Sequence, residues 1–246
     1  AAVWQSVSTT DAAIGDYWMA LLLYPVQMYM DFSGYSDMAI GIALLLGFKI
    51  PMNFNAPLTA DSMTDFWRRW HISLSTWIRD YVYISLGGNR HGTLRMYLNQ
   101  MVAMTACGLW HGASLNFVVW GVLHGALVCL HKFWSQTVMK HDRHYHPSGL
   151  RRFVSVFVTF HVLCFTWLFF RCRDFEGVWV MLRQMFTKFN PSVLPDVFAA
   201  YKYVFLLMAF ALLTHWIPDR WQNCCVRILE KGGVGFSAIA ITAVIF

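Results

Sequence analysis

A chain of 246 residues that is 57% hydrophobic and 13% charged carries about half the charge of a soluble domain, which usually has about 25%. With 20 Phe, 12 Trp and 10 Tyr it reads as an all-α, polytopic transmembrane protein. The net charge of +6 comes from Lys and Arg set mainly between apolar runs, as at cytoplasmic membrane flanks, and no separate basic patch points to nucleic acid. Six cysteines (Cys107, Cys129, Cys164, Cys172, Cys224 and Cys225) form no CxxC. They predict neither a disulfide framework nor a metal site and read as small apolar filler. The chain opens on Ala1 without a signal-peptide pattern. It closes in Phe236 to Phe246, shorter than the roughly 20 apolar residues of a span. The expectation is a single membrane domain over residues 1–246, the C-terminal part of a longer protein.

In chain order, residues 1–15 are polar and weakly patterned. Tyr17 to Phe48 is an apolar run whose unbroken helix would be about 48 Å long, against a hydrocarbon core of roughly 30 Å. A break or a protruding end is expected, with Asp31-Phe-Ser-Gly-Tyr-Ser-Asp37 as the natural place. Asp31 and Asp37 are candidate intramembrane carboxylates. Six residues apart, they would lie about 240° apart around a helix, so a structural role in holding an irregular helix is preferred. Lys49 to Pro57, with Pro51, Asn53, Asn55 and Pro57, reads as a loop.

Residues 59–92 predict an interfacial helix and a turn. Ser62-x-x-Asp65 resembles a capping box. Behind it Trp67, Trp70, Leu74, Trp77 and Tyr81 recur at steps of three and four, with Arg68, Arg69, Ser75, Arg79 and Asp80 on the other side. That amphipathic pattern suits a helix lying in the membrane plane against lipid headgroups. His71 borders its apolar face. Leu86 to Gly92 is a turn, basic and membrane-flanking rather than a phosphate loop, since no Gly-Lys-Ser/Thr follows.

Ala103 to Gly125 is the centre of the chain. Two histidines sit in Gly-x-x-x-Gly frames, Gly108-Leu-Trp-His111-Gly112 and Gly121-Val-Leu-His124-Gly125, which let helix backbones approach closely. In one continuous helix they would be about 220° apart; a break near Gly112 to Asn116 would change that. An ionisable group at membrane depth is costly, so its default reading is functional. His111 is the leading candidate and His124 a secondary one. Ser135 to Arg152 is a polar loop whose His141, His144 and His146 read as solvated rather than as metal ligands. Phe153 to Phe170 predicts a further span, Arg171 to Pro195 an amphipathic basic helix, and Val197 to Ile217 another span with His215 near its end.

An intramembrane histidine with a second one nearby suits proton abstraction from a hydroxyl that then attacks a thioester carbonyl. No Gly-x-Ser-x-Gly elbow and no His-Glu-x-x-His is present, which argues against a serine-type hydrolase and a zinc protease.

Three blocks carry a family resemblance: YPVQMYMDFSGYSDMAIGIALLLGF (24–48), DFWRRWHISLSTWIRDYVYISLGGNRHG (65–92) and GLWHGASLNFVVWGVLHG (108–125). In them the chain resembles the membrane-bound O-acyltransferases, most closely the bacterial branch of alginate O-acetylation and teichoic-acid D-alanylation. The resemblance implies that His111 is the catalytic histidine and His71 the second histidine of the site. It implies a ring of membrane helices with a thinned centre in a bacterial cytoplasmic membrane. There an acyl thioester, acetyl-CoA or carrier-linked, would serve as co-substrate with no tightly bound cofactor. The acyl group, most commonly acetyl, would pass to an extracytoplasmic polysaccharide, often through a partner acyltransferase protein. Trp110 and Asn116 are possible supports of the site. Teichoic-acid D-alanylation is the alternative within the family. A transporter using Asp31, Asp37 and His111 as a proton relay, and a non-catalytic scaffold, are the alternatives outside it.

Overall fold

The computed structural model describes residues 14–140, 142, 145–172, 174–187 and 194–214, together with 221, 224, 227, 228, 231 and 232. His141, Arg143, His144, His215 and the Phe236 to Phe246 run lie outside the described residues. No β-strand occurs among those described.

Helix α1 (Ile14–Leu45) runs unbroken for 32 residues with Pro25 inside it. The break expected at Asp31 to Asp37 does not occur. Both carboxylates lie on the outer surface of that regular helix. The capping motif at Ser62 opens α2 (Met63–Arg69), in which the Ser62 side chain accepts from the Asp65 N–H. The reciprocal half of a capping box is displaced by one residue: the Asp65 carboxylate faces the Asp61 N–H at 3.4 Å and pairs with Arg69 at 2.8 Å.

The single interfacial helix predicted from the 3.6-residue period is two helices. Trp70 is extended (φ −102°, ψ 128°) and His71 is left-handed (φ 44°, ψ 56°); α3 (Ile72–Ile78) starts afresh and passes into a π-helical turn, Arg79–Tyr83. Because the break rotates the second half, Trp70 and Leu74 are buried while Trp77 and Tyr81 are 50% and 67% exposed. The latter two pack on each other at 5.4 Å. The turn that follows is secured by the buried Asn99, which donates to the carbonyls of Leu86 and Gly88. Gly87 and Gly88 take φ 102° and 56° there, values that residues with a Cβ rarely adopt.

Helices α4 (Thr93–His111) and α5 (Leu115–Phe133) form an antiparallel hairpin; of the two arrangements the sequence left open, one continuous helix or a break near Gly112 to Asn116, the chain takes the break, at Gly112 to Ser114. Both Gly-x-x-x-Gly frames serve it. A Cβ on Gly108 would run into the Phe117 carbonyl oxygen and come within 3.2 Å of the Gly121 Cα; one on Gly121 would run into the Met104 carbonyl oxygen. Gly125 lies against Met101 and Met104, and Gly112 against the Phe117 ring. A π-helical turn (Trp134–Val138) extends α5, so that Leu115–Val138, like α6 (Gly149–Arg171), is long and apolar enough to cross a bilayer.

Helix α7 (Phe175–Thr187) is the predicted amphipathic helix and buries Val178, Met181 and Met185. They join Leu21, Cys164 and Leu168 in one core cluster. The larger cluster joins Phe54, Phe66, Trp70, Leu74, Cys107, Trp120 and Trp167, with Phe66 stacked on Trp70 at 5.6 Å and 18°. The span expected over Val197 to Ile217 is instead divided at Tyr201, between α8 (Leu194–Ala200) and α9 (Lys202–Thr214). Lys202 interrupts the apolar run there, and a continuous span would have to bury its charge. The chain forms two compact units, Ala1–Tyr201 and Lys202–Phe246. The first holds α1 to α8; the second begins with α9, where Lys202 lies 5.0 Å from the Tyr203 ring.

The hairpin contact predicts opposite signs for two alanine substitutions. Gly108→Ala drives a methyl into main chain and should destabilise the full-length protein by about 2–3 kcal/mol, as overpacking does. Gly34→Ala, with no atom within 4 Å of its Cβ, should be neutral or stabilise by about 0.5–1 kcal/mol. Thermal unfolding in detergent reads both; equal midpoints for the two variants would contradict the packing.

Candidate active site at the end of the helical hairpin

His111 is the last residue of α4, and rings surround it. Trp110 (4.9 Å), Phe170 (5.0 Å), Trp120 (5.3 Å) and Phe117 (6.3 Å) contribute neighbouring centroids. Its ring nitrogens make no hydrogen bond among the described residues. Trp120, 2% exposed, stands edge-on to it at 89°, and the buried Trp120 Nε1–H also lacks a partner. The hairpin supplies Trp110, Phe117 and Trp120, and α6 supplies Phe170. What brings Phe170 in is Asn116: buried at 2%, it donates from Nδ2 to the Cys172 carbonyl at 2.8 Å and so ties the end of α6 to the start of α5. Asn116 therefore supports the wall rather than touching the imidazole.

His71 reaches the same place from the break between α2 and α3. Its ring lies 4.8 Å from Phe32 and 6.1 Å from Trp110. Trp110, 59% exposed, thus neighbours both imidazoles. The break is satisfied by the loop before it: Asn55 N–H donates to the Arg69 carbonyl, and the Ile72 N–H to the Asn53 carbonyl, both at 2.9 Å. A left-handed non-glycine residue costs on the order of 1–3 kcal/mol and persists where its surroundings over-determine it, often at functional sites. Burial keeps the His71 imidazole below its ordinary pKa, so it is neutral near pH 7.

His124 is the opposite case. It is fully buried, and both ring nitrogens are engaged. Nδ1 accepts from Trp67 Nε1–H at 3.2 Å, which requires an unprotonated Nδ1 because indole nitrogen only donates. Nε2 therefore carries the proton and donates to Thr166 Oγ1 at 2.9 Å, whose hydroxyl donates on to the Leu163 carbonyl at 3.0 Å. With no lone pair to spare, His124 fastens α2, α5 and α6 together behind Trp120, 4.6 Å away. Asp31 and Asp37 are exposed on α1 and are not among the groups around His111.

Asn53, which in the sequence carries only the signal of a loop, is the hydrogen-bond partner of His71. Its Oδ1 takes the His71 Nδ1–H at 3.2 Å, the Ser73 N–H at 3.1 Å and the Ser73 hydroxyl at 2.9 Å. Its Nδ2 donates to Ser36 Oγ on α1 at 3.2 Å.

Beside the site lies a cavity of about 390 Å³ whose lining includes Arg68, Arg79, Lys132, Gln100, Tyr83 and Trp67. Arg79 pairs with Asp80 and Lys132 donates to Gln100. Trp67, in its wall, packs 5.8 Å from Trp120 of the His111 enclosure, so the cavity and the enclosure meet where these two indoles pack. A further cluster, Asp61, Asp65 and His146, holds ligand-type atoms within 4.8 Å of one another. Those atoms are occupied by one another and by Arg69: His146 Nδ1 meets Asp61 Oδ2 at 2.6 Å and Arg69 Nε meets Asp65 Oδ2 at 2.8 Å, off the line of a hydrogen bond.

The arrangement is that of an all-helical membrane protein with one open histidine in an aromatic enclosure and a second beside it. Residues 2–171 match the family described as MBOAT, membrane-bound O-acyltransferase, and the chain belongs to that family. It is 44% identical over 188 residues to the probable alginate O-acetylase AlgI of Azotobacter vinelandii, a match covering 76% of this chain and 36% of that protein. It is 42% identical over 168 residues to the peptidoglycan O-acetyltransferase of Helicobacter pylori (68% and 31% covered). To the teichoic acid D-alanyltransferase of Bacillus subtilis it is 30% identical over 161 residues (62% and 40% covered). The chain thus spans between 31% and 40% of the length of these relatives.

The His124 chain of hydrogen bonds yields a test. Thr166→Val leaves the buried Nε2–H without an acceptor and should cost about 1–3 kcal/mol of stability. Thermal unfolding of the detergent-solubilised full-length protein measures it; an unchanged midpoint would mean that His124 is not held as described.

Proposed function

We propose that this chain carries the catalytic centre of a membrane O-acyltransferase that moves an acetyl group from a thioester to hydroxyls of an extracytoplasmic polysaccharide at a bacterial cytoplasmic membrane. The observation that carries the reading is the contrast between histidines: His124 is saturated with hydrogen bonds, whereas His111 has open ring nitrogens inside an aromatic enclosure. A neutral imidazole with an available lone pair is the group a hydroxyl needs in order to attack a thioester. His111 takes the proton of the acceptor hydroxyl as its oxygen bonds to the thioester carbonyl carbon. The tetrahedral intermediate then expels the thiolate as the C–S bond breaks. The imidazolium returns the proton to sulfur, leaving an ester on the acceptor and a free thiol. Phe117, Trp120 and Phe170 make one side of the site apolar, which limits the approach of water, the competing nucleophile, from that side.

The basic cavity suits the donor. Arg68 and Lys132 line it, beside an Arg79 already paired with Asp80, and cations of this kind suit the phosphates of a coenzyme A or phosphopantetheine thioester. Acetyl is preferred to D-alanyl because the relatives named for acetyl transfer are 42–44% identical and the one named for D-alanyl transfer 30%. A partner acyltransferase protein on the far side of the membrane would hand the group to the polymer. A proton-relay transporter finds less support, since Asp31 and Asp37 are exposed and apart from the His111 enclosure.

The decisive experiment supplies labelled acetyl donor to membranes holding matched amounts of full-length protein and its His111→Ala form, and counts label on glycan. The expected loss is at least about 100-fold, on the order of 2.7 kcal/mol of transition-state stabilisation. Equal transfer by both forms would remove His111 from the chemistry. Transfer only from a D-alanyl carrier thioester would move the reading to the D-alanyl branch. With the same assay, Arg68→Gln should raise the donor KM about tenfold and leave kcat nearly unchanged, the signature of lost phosphate binding.

A further inference from the structure

Asn53 is tied into the second histidine more tightly than a loop residue needs to be, and the hydrogen bonds fix proton positions without any reference to titration. The Ser73 backbone N–H can only donate, and it meets one atom of the Asn53 amide at 3.1 Å. That atom is therefore the oxygen, which settles the amide orientation that electron count alone leaves open. An amide oxygen only accepts, so the His71 Nδ1 facing it at 3.2 Å carries the proton. The Ser73 hydroxyl, 3.4 Å from the same nitrogen, already donates to Asn53 Oδ1 at 2.9 Å and cannot compete. Nε2 of the neutral ring then bears the lone pair.

We propose that Asn53 is the positioning residue of His71, holding it as the Nδ1–H tautomer so that Nε2 is presented to the substrates as a hydrogen-bond acceptor. The proposal rests on the acyltransferase reading for its catalytic consequence but not for its structural part. A neutral His71 so held receives a proton or hydrogen bond, as from a substrate hydroxyl, and does not donate one to a developing oxyanion. Three further features over-determine the geometry. Asn53 Nδ2 is anchored on Ser36 of α1 at 3.2 Å. The Asn53 carbonyl takes the Ile72 N–H that opens α3. Phe32 of α1 stands edge-on to the His71 ring at 4.8 Å. Asn53 thus links α1, the loop and the α2–α3 break into one support for the imidazole, the relation in which a fixed acceptor sets the tautomer of a working histidine.

The test uses full-length protein in lipid nanodiscs with 15N-labelled histidine, the His71 signals being assigned by their loss in His71→Gln. In the wild type at a pH where His71 is neutral, Nδ1 should resonate as a protonated nitrogen and Nε2 as an unprotonated one. Asn53→Leu, of similar shape without the acceptor, should abolish that preference and lower kcat by about tenfold or more while donor KM changes less than about twofold. Asn53→Asp, which keeps an acceptor oxygen, should restore the tautomer and most of the rate. A retained Nδ1–H tautomer in Asn53→Leu, or full turnover by that variant, overturns the proposal. Loss of rate in Asn53→Leu that Asn53→Asp does not recover, with the tautomer restored, would reduce Asn53 to a folding role. A wild type that transfers no acyl group would instead sink the acyltransferase reading, and the nitrogen spectra would still decide whether Asn53 sets the tautomer.

Discussion

The site depends on how closely two helix backbones approach. At Gly108 and Gly121 the α4–α5 hairpin leaves no room for a side-chain carbon, and this contact sets the register in which Trp120 of α5 stands against His111 of α4. In an apolar surround, helices gain little from hydrophobic burial against each other, and close van der Waals packing between small residues takes its place. The rest of the enclosure is added to this hairpin. Helix α6 is drawn to it through the Asn116 bond to Cys172, which brings Phe170 to the imidazole. Helix α2 is drawn to it through Trp67 and His124. One backbone contact and two long-range hydrogen bonds thus convert a helical pair into an enclosure with four rings around one histidine.

Polar groups inside such a protein divide by whether their bonding is complete. His124 and Thr166 form a closed chain ending on a backbone carbonyl, and Asn99 spends its Nδ2 on two turn carbonyls. Both are buried, and both hold helices or turns in place. His111 has no such partner, and the Trp120 Nε1–H beside it is likewise unpaired. A buried, unpaired donor costs about 1–3 kcal/mol, a cost with no structural return among the described residues. Incomplete bonding concentrated around one imidazole is what a site that must receive polar substrate atoms requires. His71 lies between the two cases: one nitrogen is committed to Asn53 and the other is left open.

How much of this was legible in the sequence varies with the range of the interaction. The close approach of helix backbones was, because Gly-x-x-x-Gly is a local pattern with a direct steric meaning; whether the chain turned back after His111 was left open, since the apolar run allows one helix or two. The capping serine at Ser62 and the amphipathic α7 were legible for the same reason. The break at His71 was not. The step of three and four runs on through Trp67, Trp70, Leu74, Trp77 and Tyr81, and a periodicity cannot register a single residue turned left-handed. What imposes the turn is the 53–55 loop bonding into the main chain of residues 69–72, through Asn55 N–H to the Arg69 carbonyl and Ile72 N–H to the Asn53 carbonyl, contacts that no local periodicity encodes. Asn53 escaped notice for that reason, since between Pro51 and Pro57 an Asn carries only the signal of a loop. Asp31 and Asp37 misled in the other direction: charge in an apolar run suggested an irregular helix, whereas both sit on the outer surface of one continuous helix.

The two histidines differ in how the fold delivers them. His111 stands at a helix end, where regular backbone stops and no strain is required. His71 stands at a left-handed break, whose cost is met only because Asn53 and Asn55 supply partners for the groups the break exposes. A continuous helix through residue 71 would be the lower-energy local choice for this sequence, as its unbroken apolar period attests, and it would carry the imidazole along the helix surface with its neighbours. Interrupting it separates the direction of His71 from that of Trp70: the indole goes into the Phe54, Phe66 and Trp167 packing, and the imidazole goes to Trp110. The strain at His71 thus has a definite product, an imidazole brought beside His111 without moving the core that α2 holds together. Local propensity gives way here because two different placements, an indole in the core and an imidazole against Trp110, fall on adjacent residues.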